Sequence, residues 1–186
     1  MAFDLGKIDK SWTLFLDRDG VLNFENPGTY VRNWPEFIFY PHVPENIAFF
    51  NSRFHRLILT TNQRGIGKGL MTLDDLEDIH KNMLKTILEK GGIIDRIYYC
   101  LDLEVASPCR KPNPGMAFQA ARDFPDIDLS KSMIIGNNIS DMGFGKNAGM
   151  VTVFLRTTNA EMIFPHELID LNYSNLDEFA QALMKS

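Results

Sequence analysis

An α/β fold is indicated first by the stretch Trp12-Thr-Leu-Phe-Leu-Asp17-Arg-Asp19-Gly20, in which a short apolar run ends abruptly at an acidic turn. A continuous apolar run of this length is typical of a strand that is buried on both faces, as in a parallel sheet. Comparable runs lie at 56–60, 96–100, 132–135 and 151–155. Each run predicts a further strand of the same sheet.

Helix-like segments separate these runs. They lie at 44–53, 73–90, 114–123, 140–148 and 175–185. Strands that alternate with helices predict an open, three-layered α/β fold with a mostly parallel central sheet. The length of 186 residues fits one domain, so we expect residues 1–186 to form a single unit. The segment 163–173 has no pattern that assigns it to a helix or a strand.

Composition and charge narrow the classes of function. Hydrophobic residues make up 45% and charged residues 23%, which is typical of a soluble globular protein. A net charge of -5 argues against nucleic acid as the main partner. Because no apolar run is long enough to cross a bilayer, we expect a cytoplasmic protein with no membrane partner. We expect the two cysteines, Cys100 and Cys109, to be reduced.

Polar residues follow three of the predicted strands at the point where each strand ends. These residues are Asp17-Arg18-Asp19-Gly20, Thr61-Asn62-Gln63 and Gly136-Asn137-Asn138. In parallel sheets, ligands bind outside the carboxyl ends of the strands, so we expect a site for a metal and an anion there. A calcium loop that begins at Asp17 is excluded, because its sixth and twelfth positions are Leu22 and Gly28 instead of Gly and Glu.

Four ordered motifs resemble those of the haloacid dehalogenase (HAD) superfamily of phosphatases. They are Phe15–Asn23, Thr60–Ile66, Cys109–Gly115 and Gly136–Asp141. The Thr-Asn-Gln and Arg-Lys-Pro sequences are similar to one branch, which holds heptose-bisphosphate phosphatases, histidinol phosphate phosphatases and polynucleotide 3′-phosphatases. The match extends from about residue 14 to residue 155 and implies a Rossmann-like HAD fold.

The resemblance implies catalytic roles for four residues. Asp17 would attack phosphorus and form an aspartyl-phosphate intermediate. Asp19 would protonate the leaving oxygen and then activate the water that cleaves the intermediate. The Thr61 hydroxyl would hold phosphate oxygens, and Lys111 would neutralise the charge that Asp17 and the phosphate share.

Mg²⁺ is the cofactor that the resemblance implies, and it prefers oxygen ligands. The expected ligands are the Asp17 carboxylate, the Asp19 backbone carbonyl and the side chains of Asn137 and Asp141. The family pattern has Asp where this chain has Asn137, so the site keeps an oxygen and loses a negative charge. Two interpretations follow: an enzyme with weaker metal binding, or a catalytically silent phosphate-binding module.

A second departure from the branch concerns zinc. Heptose-bisphosphate enzymes carry a Cys/His zinc loop before Arg-Lys-Pro, whereas this chain keeps Cys100 and Cys109 and has Asp102 and Ser107 at the inner positions. Structural zinc normally takes four strong Cys or His ligands. We therefore expect no structural zinc in this loop.

Substrate contacts are expected from Asn62, Gln63 and Arg110. Arg110 resembles the branch's contact to a second anionic or hydroxylated part of the substrate, whereas a solvated loop is an equal alternative for Gln63 and its neighbour Arg64. The loop Gly20–Trp34 is a candidate substrate-facing segment.

The spacing of the motifs leaves no room for a cap. The 43 residues between Asp17 and Thr61, and the 49 between Thr61 and Lys111, must each include a helix and a strand. We therefore expect no separate cap domain, and an oligomeric neighbour could close the open site.

The function predicted first is a Mg²⁺-dependent phosphomonoesterase that acts on a small phosphorylated metabolite, a sugar phosphate or bisphosphate of the heptose-bisphosphate type. The alternatives are a histidinol phosphate phosphatase, a polynucleotide 3′-phosphatase and the silent module.

Overall fold

A central sheet of six strands organises the computed structural model, which describes residues 3–26, 28–159 and 161–186. The strands are β1 (Thr13–Leu16), β2 (Arg56–Asn62), β3 (Arg96–Cys100), β4 (Ser132–Gly136), β5 (Val151–Leu155) and β6 (Leu171–Tyr173). They lie in the order β3-β2-β1-β4-β5-β6, and every neighbouring pair is parallel. The α/β class and the five predicted strands are confirmed. The short edge strand β6 lies in the segment that the sequence left unassigned.

Six α-helices flank the sheet in the described ranges. They are α1 (Val43–Arg53), α2 (Arg64–Gly67), α3 (Leu73–Glu89), α4 (Gly115–Asp123), α5 (Ile139–Ala148) and α6 (Leu176–Met184). The five predicted helices are confirmed to within two residues, whereas α2 is too short to show a helical period in the sequence. None of the helices in these ranges combines the length and apolar character that a membrane span requires.

The strands bury side chains on both faces, which produces the three layers. Leu14 and Leu16 pack into one core cluster with side chains from α1, α3 and α6. Phe15, between them, packs into a second cluster with side chains from α4 and α5. Successive strand residues point to opposite faces, so a wholly apolar strand needs helices on both sides. In the described part of the chain, the segment after β1 consists of a loop, a 3₁₀ turn (Trp34–Glu36) and α1, and the segment after β2 contains α2 and α3. Neither of these described segments forms a cap.

The order of the strands fixes where a ligand binds. From β1 the chain passes to β2 and β3 on one side, and it then returns to β4 on the other side of β1. Such a reversal opens a crevice at the carboxyl ends of the two central strands, where open α/β sheets bind their ligands. The ends of β1, β2 and β4 therefore meet at one edge of the sheet.

Cys100 and Cys109 form a disulfide, so the prediction of two reduced cysteines is wrong. β3 ends at Cys100, and the following loop turns back until the two Cα atoms lie 5.5 Å apart, within the range that a disulfide spans. The nine-residue separation of the two cysteines does not by itself predict that the loop brings them together. The Sγ of Cys109 also lies 3.5 Å from a carboxylate oxygen of Asp102. The absence of structural zinc from this loop stays a prediction.

We predict that Gly145→Ala lowers the melting temperature. Gly145 is on the buried face of α5, where an added Cβ would lie 2.4 Å from the Ile134 side chain. Overpacking of this kind costs about 1–3 kcal/mol, or roughly 2–4 °C in Tm per kcal/mol for a chain of this size. Thermal denaturation followed by circular dichroism would measure the shift, with the exposed substitution Lys81→Ala on α3 as the control. A higher Tm, as helix propensity alone would give, would contradict this packing.

Candidate active site

A buried ion cluster stands at the carboxyl edge of the sheet. Asp17 directly follows β1, and its backbone N–H donates to the carbonyl of Ile135 on β4 (2.9 Å). Lys111 Nζ lies 2.8 Å from Asp17 Oδ1 and 2.6 Å from Asp141 Oδ1, and it donates to the carbonyl of Thr60 (2.9 Å). All three ammonium hydrogens are therefore committed. With 3% of its surface exposed, the lysine acts as a fixed internal charge.

Burial determines the protonation of this cluster. It raises the pKa of Asp17 to about 7, against the opposing charge of Lys111 and with the support of the Asp141 charge. Burial alone would lower the pKa of Lys111, but the carboxylates of Asp141 and Asp17 outweigh it and raise that pKa. The ammonium therefore stays charged, and Asp17 is the member of the cluster that exchanges a proton near neutral pH.

Asp19 is held by a different set of donors. Its carboxylate accepts hydrogen bonds from Arg18 Nη2 (2.9 and 2.8 Å), Asn23 Nδ2 (2.9 Å) and Gln63 Nε2 (3.1 Å). Burial alone would raise the pKa of Asp19, but the Arg18 charge and the hydrogen bonds outweigh it and hold the pKa below its usual value. Asp19 therefore rests as a carboxylate, the form that a general base needs.

Arg18 is a site residue that sequence reasoning missed. Its side chain is fully buried, and Nη1 lies 3.5 Å from Nε2 of His80 on α3. Burial, with the Arg18 charge, lowers the pKa of His80 to about 3, so the imidazole is neutral beside the guanidinium. The only signal in the sequence was the position of Arg18 between two aspartates, which does not tell a buried arginine from a solvated one.

Gln63 is not among the residues that line the cavity, and its side chain instead contacts two other predicted site residues. Only 1% of its surface is exposed, and Nε2 donates to Thr61 Oγ1 (2.8 Å) as well as to Asp19. The Thr61 hydroxyl accepts this bond and keeps its own hydrogen for another acceptor. Asn62 clamps the backbone of Lys111, with Nδ2 to the carbonyl at 3.2 Å and the lysine N–H to Oδ1 at 3.1 Å.

The fourth motif contributes two side chains with different environments. Asp141 belongs to the capping box of α5, where Oδ2 accepts the Asn138 N–H (3.0 Å) while Oδ1 faces Lys111. Asn137 is 1% exposed, and its Nδ2 donates to Glu25 Oε1 (2.9 Å) and to the hydroxyl of Thr158. Asn137 Oδ1 is buried and has no hydrogen-bond partner among the described residues.

Gly20 allows the first and fourth motifs to approach each other. Its φ of +82° lies in the left-handed region, and an added Cβ would lie 1.9 Å from Asn137 Nδ2. Any other residue would therefore meet both backbone strain and a clash.

A cavity of about 570 Å³ opens over these groups, a size typical of small-molecule sites. Every predicted site residue except Gln63 lines it: Asp17, Asp19, Thr61, Asn62, Arg110, Lys111, Asn137 and Asp141. The loop Gly20–Trp34 supplies part of the wall through Glu25, Tyr30 and their neighbours, and its predicted residue Pro27 lies outside the described residues. Arg64 also lines the cavity.

The oxygen atoms of this wall could hold a divalent cation. The carboxylates of Asp17 and Asp141, the unpartnered Asn137 Oδ1 and the Asp19 backbone carbonyl form a set of the kind that Mg²⁺ prefers. Within the buried cluster, Asp17 and Asp141 share the single ammonium of Lys111, while Arg18 pairs with Asp19. This local excess of one negative charge favours a cation, and Arg64 and Arg110 also line the cavity.

We predict that Asp17→Asn makes the metal-free protein more stable at pH 8. The pKa of Asp17 in the folded state, about 7, exceeds its ordinary value of 3.8, so the folded state binds the proton more tightly. The stability that this group contributes therefore falls as the pH rises from about 4 to about 7, and a neutral amide avoids that loss. Thermal denaturation in EDTA would show a Tm higher by on the order of a few degrees at pH 8 and a smaller difference at pH 5. Asp74→Asn, on the exposed surface of α3, is the control, and a lower Tm for Asp17→Asn at pH 8 would refute the prediction.

Comparisons with known proteins place the chain in a family. A family model described as HAD-hydrolase-like matches residues 108–163. A D-glycero-alpha-D-manno-heptose-1,7-bisphosphate 7-phosphatase of Mycobacterium bovis is 31% identical over 92% of this chain and 91% of its own. The D-glycero-D-manno-heptose-1,7-bisphosphate 7-phosphatase of Chlorobaculum tepidum is 33% identical over 88% of this chain and 91% of its own.

The fold comparison agrees with the sequence comparison. The crystal structure of the D,D-heptose 1,7-bisphosphate phosphatase from B. bronchiseptica, complexed with magnesium and phosphate, superposes with a TM-score of 0.82. It is 29% identical to this chain and covers 93% of it, and the match includes 98% of the other chain. Since relatives above 30% identity span nearly the whole of both chains, the protein belongs to the HAD superfamily and is one of its phosphatases.

Proposed function

We propose that this phosphatase hydrolyses a monoester of a small sugar phosphate or bisphosphate, with Mg²⁺ as cofactor and an aspartyl-phosphate intermediate on Asp17. The main support is the buried Asp17–Lys111–Asp141 cluster, which faces the cavity at the reversal point of the sheet. The relatives named as heptose-1,7-bisphosphate 7-phosphatases favour a sugar bisphosphate as the substrate.

Mg²⁺ would be held by Asp17, Asp141, Asn137 Oδ1 and the Asp19 carbonyl. Two observations support this assignment: Asn137 Oδ1 has no partner among the described residues, and two carboxylates share the one ammonium of Lys111. A solved relative contains magnesium and phosphate. When bound, Mg²⁺ neutralises the charge of the phosphoryl group as that group is transferred.

Asp17 is suited to nucleophilic attack because Lys111 fixes one of its oxygens. The 2.8 Å contact between Nζ and Oδ1 orients the carboxylate and leaves Oδ2 to attack phosphorus. Thr61, whose hydroxyl hydrogen is free, would donate it to a phosphate oxygen. Asn62 keeps Lys111 in place through its two backbone hydrogen bonds.

Asp19 would serve as the acid and then as the base. A phosphate dianion that enters beside it raises its pKa through like-charge repulsion, so the carboxyl takes up the proton that the leaving oxygen needs. After the alcohol leaves, the carboxylate removes a proton from the water that attacks the aspartyl-phosphate. Arg18 and Gln63 hold the carboxylate in place for both steps.

Two arginines could bind the second anionic group of a bisphosphate. Arg64 and Arg110 both line the cavity. Arg64 Nε is buried without a hydrogen-bond partner among the described residues, and Arg110 Nη1 donates to the Leu103 carbonyl. A second phosphate would satisfy Arg64 and would pair with both charges.

The remaining alternatives differ in substrate or in activity. Histidinol phosphate and a 3′-phosphorylated oligonucleotide would meet the same Asp17 cluster. Asn137 favours a silent phosphate-binding module, whereas the intact contacts of Asp17, Asp19 and Lys111 favour catalysis. A cytoplasmic location and an oligomeric neighbour at the open site remain predictions.

Phosphate release tests the proposed activity. The substrates are a panel of sugar phosphates and bisphosphates, histidinol phosphate and a 3′-phosphorylated oligonucleotide, each with Mg²⁺ or EDTA. We expect Mg²⁺-dependent turnover of sugar phosphates, and a loss of several orders of magnitude in kcat for Asp17→Asn because the nucleophile is gone. Asp74→Asn is the matched surface control. Wild-type turnover by Asp17→Asn would refute the mechanism, and no turnover of any substrate would favour the silent module.

Steady-state kinetics with paired substrates test the second anion site. We expect Arg64→Ala and Arg110→Ala each to raise KM for a sugar bisphosphate by about 10- to 100-fold, the value of a charged hydrogen bond. KM for the matching monophosphate should change little, because that substrate lacks the second group. Arg122→Ala, exposed on α4, controls for lost surface charge. Equal effects on both substrates would show that the arginines do not bind the second group.

A further inference from the structure

Glu25 and Thr158 hold one end of the Asn137 side chain. Asn137 Nδ2 donates to Glu25 Oε1 (2.9 Å) and to the Thr158 hydroxyl. The amide nitrogen is thus held by two acceptors, one carboxylate and one hydroxyl. Glu25 comes from the loop after β1 and Thr158 from the segment after β5, so two distant parts of the chain meet at this amide.

These two acceptors select one orientation of the amide. A carboxylate only accepts hydrogen bonds, so Glu25 binds the amide nitrogen and would repel the amide oxygen at the same distance. Asn137 Oδ1 is therefore kept at the other end, where it is buried and has no partner among the described residues. An aspartate would need no such selection, because its two oxygens are equivalent. An asparagine ligand needs neighbouring groups that bind its amide nitrogen, so that its oxygen faces the metal.

The segment that carries Thr158 is itself attached to the site. Thr157 Oγ1 donates to the Gly20 carbonyl (2.6 Å), and Asn159 Nδ2 donates to the Asn137 carbonyl (2.8 Å). Three consecutive residues thus bind the first and fourth motifs. These contacts hold Thr158 beside the amide nitrogen of Asn137.

We propose that Glu25, supported by Thr158, is a positioning residue for the metal site. It turns the Asn137 oxygen towards the cation, and it supplies from the loop after β1 the negative charge that an aspartate at position 137 would bring. The inference rests on the proposed function, in that the cation is taken to bind at the fourth motif. Outer residues that orient metal ligands typically change metal affinity by about 10- to 100-fold when they are replaced.

Metal binding without substrate tests this role. Mn²⁺, in place of Mg²⁺, would be titrated into EDTA-stripped protein, and free Mn²⁺ would be measured by electron paramagnetic resonance. We expect Glu25→Ala to weaken binding by about tenfold or more. Glu25→Gln keeps an acceptor for the amide but removes the charge, so a smaller loss is expected. Thr29→Val, in the same loop and on the same cavity wall, is the control and should leave the affinity within about twofold of wild type.

A double-mutant cycle separates positioning from general damage to the fold. An aspartate at position 137 needs no orientation, so Glu25→Ala should cost little in the Asn137→Asp background, and the double variant should bind Mn²⁺ at least as tightly as wild type. Asn137→Asp should increase the Mn²⁺ affinity less when Glu25 is present than when Glu25 is replaced by alanine. In the single variant, the new carboxylate faces the carboxylate of Glu25 and the two repel. An equal loss from Glu25→Ala in both backgrounds, or none in either, would overturn the inference.

Failure of the proposed function can be distinguished from failure of this inference. Normal Mn²⁺ binding with the expected cycle but no phosphate release would support the inference and refute the proposed catalysis. Absence of Mn²⁺ binding in the wild type, or binding that Asp141→Asn leaves unchanged, would overturn the inference whether or not phosphate is released.

Discussion

The ammonium of Lys111, buried between Asp17 and Asp141, is the interaction on which the site depends. Two carboxylates that both contact one ammonium would repel each other in a low-dielectric interior if that ammonium were absent. The charge of Lys111 offsets this repulsion and allows both to be buried. The same contact joins three chain segments, because Asp17 follows β1, Asp141 opens α5 and Lys111 follows the loop after β3. Asn62 at the end of β2 then fixes the lysine backbone. One ammonium therefore holds together the three segments that form the proposed site.

The sequence was sufficient to predict five of the six described strands and most of the polar residues that line the cavity at their carboxyl ends. Apolar runs that end in polar residues, such as the one before Asp17, report both a buried strand and the place where it stops. Such a pattern is strong because burial on both faces requires wholly apolar strands. The three-residue edge strand β6 and the four-residue α2 were missed, since elements this short carry no measurable period.

The sequence could not show which polar side chains turn inward. Gln63 fits a solvated loop in the sequence, yet it is buried against Thr61 and Asp19. Arg18 shows no sign of burial in the sequence, yet its side chain is fully buried beside Asp19 and His80. Each has one partner close in sequence and one that is distant, and no spacing rule identifies the distant partner. The prediction that Cys100 and Cys109 are reduced failed for a related reason. The loop brings the two cysteines together only in the tertiary structure, which their spacing in the sequence does not reveal.

The contact between Glu25 and Asn137 has a consequence for how altered enzymes are diagnosed. A position-by-position comparison finds an amide at 137 and counts one missing charge, which is the usual mark of a pseudoenzyme. The folded chain has a carboxylate 2.9 Å from that amide, contributed by a residue 112 positions away. The net charge around a ligand site depends on every charged group nearby in space. It can therefore stay the same when the residue at one aligned position changes. Inactivity inferred from a single column therefore has to be checked against every charge within reach of the substituted side chain.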